Sequence, residues 1–124
     1  QVLGKTEILA MRETARNVPV AQPIMEYAIA ITLATHPESS QGHELAKQYV
    51  RFGSSPRGVQ SLILGAKVNA LLNDRFYVSV DDIKAVALPA LRHRVLINFE
   101  AEAERINPDN ILEEILRSVE IPKV

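Results

Sequence analysis

Cysteine and tryptophan are both absent from the 124 residues. Without cysteine there is no disulfide, no thiolate nucleophile and no thiolate-held metal. Net charge is −1 with the histidines neutral, so no global field draws nucleic acid or an anionic membrane surface. No uninterrupted apolar run approaches the ~20 residues that a membrane-spanning helix needs. The N-terminus lacks the basic stretch and apolar core of a signal peptide. There is no G-x-x-x-x-G-K-[ST] loop and no apolar strand ending in acidic residues to hold magnesium, so this chain alone is not expected to hydrolyse a nucleotide. The histidines, His36, His43 and His93, lie in separate segments and make no H-x-x-x-H pair of the kind a helical metal site uses. No catalytic constellation and no repeat at solenoid period is visible. The first residue is Gln1 rather than methionine, and the chain is expected to be a piece of something longer.

What is present is aliphatic. Hydrophobic residues make up 47% and aromatics 5%, a composition that suits helices, at a length that suits one domain spanning 1–124 with a real core. Residues 6–16 read as a first helix, with Ile8, Met11, Ala15 and Val18 at helical spacing. A second runs from near Ala21 to about Thr35. It is apolar on two faces, through Ile24, Tyr27, Ala28, Ile31 and Ala34 on one and Met25, Ile29 and Leu33 on the other, which predicts burial in mid-domain. Pro37 to His43 is a polar loop in which His36 and His43 are read as facing solvent. Glu44 to Phe52 fits either a short helix or an extended arm carrying Tyr49, Val50 and Phe52 to the core.

The chain is organised around Gly53-Ser54-Ser55-Pro56-Arg57-Gly58. Ser55 is a good N-cap and Pro56 fits the first helical position. The helix it opens runs to about Asn73 on Val59, Leu62, Ile63, Ala66, Ala70 and Leu71. Gly58 and Gly65 within it predict close approach of another backbone. Arg57 is a cation in the first turn, where the exposed N–H groups already carry partial positive charge. Either it points into solvent, or an anion such as a phosphate lies in front of it. Residues 76–78 read as extended, and Ser79 with Asp82 as a capping box for a helix through Ile83, Val86 and Ala87. Pro89 should kink or end that helix. Arg92-His93-Arg94 suits a helix C-terminus, and Glu100, Glu102 and Glu104 suit a solvated face. Asn107 and Pro108 open the last helix, with Ile111, Ile115 and Val119 on one side and Pro122 beyond it. Five helices and no strand long enough to build a sheet make this an all-α domain, a small helical bundle.

The order of these features resembles the C-terminal lid domain of MoxR-type AAA+ ATPases. The likeness runs from Val18-Pro19-Val20 and the Tyr27 helix ending Ala34-Thr35, through Gly53-Ser54-Ser55-Pro56-Arg57-Gly58 and Arg75-Phe76-Tyr77-Val78-Ser79-Val80-Asp81-Asp82-Ile83. It continues through Leu91-Arg92-His93-Arg94-Val95 and closes at Val119-Glu120-Ile121-Pro122. The resemblance implies that Arg57 is the sensor 2 residue, touching the ATP γ-phosphate, with Gly53, Ser54, Ser55 and Pro56 as its supporting segment. It also implies an upstream α/β core that supplies the Walker motifs, ATP and Mg2+. Neighbouring subunits of a ring homo-oligomer, a von Willebrand factor A domain partner and a cytoplasmic location are implied as well. Two positions depart from the family pattern: Asp74 stands where Gly is usual, and His36 where Arg is common. A stand-alone helical interaction module that holds a peptide in an apolar groove is the alternative. A DNA-binding helix is disfavoured by the charge.

Overall fold

The computed structural model describes residues 2–123. Its elements are α1 (Lys5–Arg16), α2 (Gln22–Ala34), α3 (Glu44–Tyr49), β1 (Val50–Phe52), α4 (Pro56–Leu72), α5 (Val80–Leu91), β2 (Leu96–Ile97), α6 (Phe99–Ala103) and α7 (Pro108–Ser118). The long helices fall where the apolar periodicity and caps put them. Ser55 accepts from the Arg57 amide at the start of α4, and Asn107 and Asn110 cap each other's main chain at the start of α7. Helix α2, apolar on two faces, is the buried one, with Ile24, Tyr27, Ala28 and Ile31 in the core. Leu62, Ile83, Leu91, Ile111, Leu112 and Ile115 complete that core and are all fully buried.

Helices α4 and α5 pack most extensively. Gly65 allows it, since a Cβ there would already stand 3.4 Å from Val86. A buried ionic link pins the turn between them. Arg75 donates twice to Asp82, at 2.7 Å each, and Asp82 also accepts from Asn69 at 2.9 Å and the Ser79 amide at 2.8 Å. Burial pushes the Asp82 carboxyl up. The hydrogen bonds from Arg75, the Ser79 main chain, Asn69 and the Ser79 hydroxyl outweigh that and hold it well below the usual carboxylate range. Asp74, just before Arg75, has φ 60°, the left-handed conformation that glycine adopts without strain. The departure from the family's glycine is therefore a side chain placed on a glycine backbone.

Four expectations need correction. Seven helices occur among the described residues rather than five, because α3 and α6 span only 6 and 5 residues and cannot display a helical period. Glu44 to Phe52 is both a helix and an extended arm. The arm pairs antiparallel with β2 across an irregular register, Val50 opposite Ile97 and Phe52 opposite Leu96. Phe52 is 57% exposed rather than delivered to the core. Residues 76–78, read as extended, bend at Phe76 and Tyr77. Pro89 does not end α5, which continues to Leu91. It sits in the last turn, where the Arg92 amide still reaches the Leu88 carbonyl and little ladder remains to be broken.

Helix α1 is the exception to burial. Only Ala15 is buried on it, and Ile8 and Met11, on its apolar stripe, stay exposed. It leans on α4, where Lys67 donates to the Arg16 carbonyl at its C-terminal end. Between the two helices runs an apolar groove of about 770 Å³. No helix among the described residues is long and apolar enough to cross a membrane.

Candidate functional site

The segment that the sequence is organised around lies where the end of α2 meets the start of α4. Ser54 is fully buried there, which requires partners for both polar groups of its main chain. Thr35 and His36, the two residues following α2, provide them. The Ser54 amide donates to the Thr35 hydroxyl oxygen at 2.9 Å, and that hydroxyl passes its own proton to the Thr32 carbonyl at 2.6 Å. The His36 Nε2 donates to the Ser54 carbonyl at 2.6 Å. Gly53 makes this proximity possible, because a Cβ on it would sit 2.6 Å from the Thr35 carbonyl oxygen and 2.9 Å from the His36 Cα. One turn into α4, a Cβ on Gly58 would overlap the Ser54 hydroxyl and stand 2.9 Å from the Leu91 side chain. Both glycines are thus fixed by close approach.

Pro56 and Arg57 follow on the solvent side, and both are exposed. No hydrogen bond or ion pair from the Arg57 guanidinium occurs among the described residues. The helix start is otherwise occupied. Pro56 has no N–H, the Arg57 amide donates to Ser55 Oγ at 3.3 Å, and the Gly58 amide donates to the Ser55 carbonyl at 2.8 Å. An anion in front of α4 would therefore meet the guanidinium and the helix dipole, not a cradle of free amides.

The remaining candidates serve the fold. Arg92 pairs with Asp109 through two 3.0 Å bonds, joining the end of α5 to the start of α7. Arg94 donates to the Ala90 carbonyl at 3.2 Å and to Ser61 Oγ at 3.0 Å, the terminal-carbonyl role expected of a cation at a helix end. Glu100, Glu102 and Glu104 are exposed, and Glu104 accepts from the Tyr49 hydroxyl. His43 is not merely a loop residue; its Nδ1 accepts from the Leu45 amide and caps α3. His36 is a second correction. Its side chain is 26% exposed and bridges Ser54 and Glu38. The bond to Ser54 spans 18 residues, out of reach of any local pattern. The local sign was the pair His36 and Glu38, two residues apart. Among the described residues no cluster of three His, Cys, Asp or Glu side chains could hold a metal.

This bundle, with its glycine-spaced Ser-Pro-Arg helix start, defines a class. Residues 42–115 match the AAA lid domain family, and the chain belongs to that family. Within it, the chain is similar to proteins named MoxR. It is 32% identical to Chaperone MoxR1 of Mycobacterium tuberculosis over all of its length and 33% of the relative. It is 35% identical over 65 residues to Protein MoxR of Paracoccus denitrificans, covering 51% of this chain and 19% of that protein. A crystal structure from Cytophaga hutchinsonii, described as a candidate ATPase, superposes with a TM-score of 0.92 at 36% identity, covering 99% of this chain and 37% of that one. The chain spans about a third of the length of the relatives that match it throughout.

Proposed function

We propose that this lid belongs to an ATP-hydrolysing, chaperone-like remodelling ATPase, and that Arg57 contacts the γ-phosphate of ATP bound on an α/β core elsewhere in the parent protein. The observation that carries the reading is Arg57 itself. It is a guanidinium without a partner among the described residues, in the first turn of a helix whose start is fastened to the end of α2. A cation there works against the helix dipole unless an anion faces it, and a guanidinium is the side chain best matched to phosphate oxygens. The contact exists with ATP and is lost once the γ-phosphate leaves. That difference in interaction lets nucleotide state bias the angle between lid and core.

Mg2+, the Walker motifs and the arginine finger would come from outside this chain, and the lid by itself would neither hold nucleotide tightly nor hydrolyse it. A ring homo-oligomer in the cytoplasm, with a von Willebrand factor A domain partner, completes the proposal by resemblance to the family. The apolar groove between α1 and α4 favours a second reading as a helical interaction module. That reading leaves Arg57 without a role. The test is steady-state ATP hydrolysis by the parent protein with Arg57→Ala. A fall of about tenfold or more, about 1.4 kcal/mol in the barrier, is expected. An active parent indifferent to the change would return Arg57 to the surface.

A further inference from the structure

We propose that Thr35 and His36 form a clamp on Ser54 that aims Arg57, and that His36 is its adjustable half, gripping best when its ring carries a proton on both nitrogens. The proposal rests on the reading of Arg57 as the phosphate contact.

Thr35 fixes the Ser54 N–H and His36 fixes the Ser54 C=O, at 2.9 and 2.6 Å. A residue held at both its N–H and its C=O cannot turn without breaking one of these bonds. Arg57 is three residues further on, across the rigid Pro56, and its own amide is tied to Ser55. The direction in which α4 presents the guanidinium is thereby set from α2. His36 is a positioning residue: it acts on phosphate only through Arg57.

Its protonation follows from its partners. A carbonyl oxygen can only accept, so Nε2 must donate to Ser54. Nδ1 lies 2.7 Å from Glu38 Oε1, and an ionised carboxylate also only accepts. Both bonds hold together only for the imidazolium. The Gly42 and Gly53 backbones close in on the His36 main chain, while the ring itself reaches the Ser54 carbonyl and Glu38. Glu38 is the one ion-pair partner of His36 among the described residues. Its carboxyl is held below its ordinary value chiefly by the bond from His36.

A neutral ring donates once. The Nε2–H tautomer keeps Ser54 but turns a lone pair on Glu38. The exposed Glu38 swings away and the bond to Ser54 loses its charge assistance. Arg57 is then held less firmly.

The experiment is ATP hydrolysis by the parent protein with His36→Ala, His36→Gln, Arg57→Ala and the His36→Ala/Arg57→Ala double variant. His36→Ala is expected to lower turnover about threefold to tenfold in the native background and to change nothing once Arg57 is gone. His36→Gln, which keeps one neutral donor, should retain most activity. Equal losses from His36→Ala in both backgrounds would overturn the clamp, as would a Gln variant no more active than His36→Ala. Ring 15N shifts of His36 in this chain read the charge independently. Two protonated nitrogens are expected while both bonds hold, and a neutral ring making both would refute the adjustable half. If the ring is an imidazolium yet Arg57→Ala leaves hydrolysis intact, the reading of Arg57 fails and the charge state of His36 stands.

Discussion

Replacing Asp82 by alanine should be among the most destabilising single changes in this domain. Asp82 is buried, with a side chain 1% exposed, and it accepts from four separate groups on α4 and in the turn before α5. Removing one member of a buried ion pair costs about 3–5 kcal/mol, because the other charge is left without compensation. Here the other charge is Arg75, 27% exposed, which can turn partly to water, so the low end applies. Losing the carboxylate that caps the Ser79 amide adds about 1 kcal/mol, while the methyl of alanine leaves no new polar group buried. The net is about 4 kcal/mol. For a domain of 124 residues that lowers Tm by roughly 12–20 °C. Urea unfolding of native and variant chains at pH 7 measures it directly. The pH dependence supplies a second check. A carboxyl held below its ordinary value contributes stability that is fully present above its unfolded value near pH 4, and that is lost as pH falls toward the folded value. The gap between native and variant should stay constant from pH 8 to about 5 and narrow steadily below about 4. A loss under about 1 kcal/mol at pH 7, or a gap unchanged at pH 3, would refute this account of the α4–α5 turn.

Three further changes test other parts of the packing. Gly53→Ala drives a Cβ into the Thr35 carbonyl and the His36 Cα; both are main chain, so a cost of about 2–3 kcal/mol is expected in thermal unfolding, with weaker hydrogen-exchange protection of the Ser54 amide. Asp74→Gly relieves a φ of 60° and should stabilise by about 0.5–1 kcal/mol; a destabilised variant would mean that the Asp74 side chain matters in its own right. The Tyr27 hydroxyl is buried with no protein partner, and burial followed by the Asp81 charge raises its pKa. Tyr27→Phe should therefore be neutral or stabilising by up to about 1 kcal/mol, and a large loss would reveal a hydrogen bond that the packing hides.

The elements legible in the sequence were those that carry their own boundary chemistry. Ser55 with Pro56, Ser79 with Asp82, and Asn107 with Pro108 marked three helix starts; Ser55 and Asn107 cap as expected, while at Ser79 only Asp82 reaches back, to the Ser79 amide. Helix α6 escaped because a turn or two cannot show a period, and for the same reason α3 stayed one of two readings of Glu44 to Phe52. The β1–β2 pair escaped because each strand is too short to alternate and its partner is remote in sequence. For α1 the period was correct but its meaning was not. Ile8 and Met11 share an apolar stripe, and periodicity says which face is apolar without saying what covers it. At the site, local electrostatics singled out Arg57, since the dipole argument needs only neighbouring residues. His36 was misread as facing solvent because its decisive partner, the Ser54 carbonyl, is a main-chain atom brought close only by the fold. Arg75 was visible as part of a motif, whereas its service to Asp82 was not.

The central claim is that Arg57 recognises the γ-phosphate, and it is tested most directly by the difference between two affinities. Binding of ADP and of a non-hydrolysable ATP analogue to the parent protein is measured by calorimetry, with and without Arg57→Ala. The account predicts that the variant loses about tenfold or more in affinity for the ATP analogue, about 1.4 kcal/mol, and keeps its affinity for ADP. Equal losses for both nucleotides, or no loss for either, would contradict it.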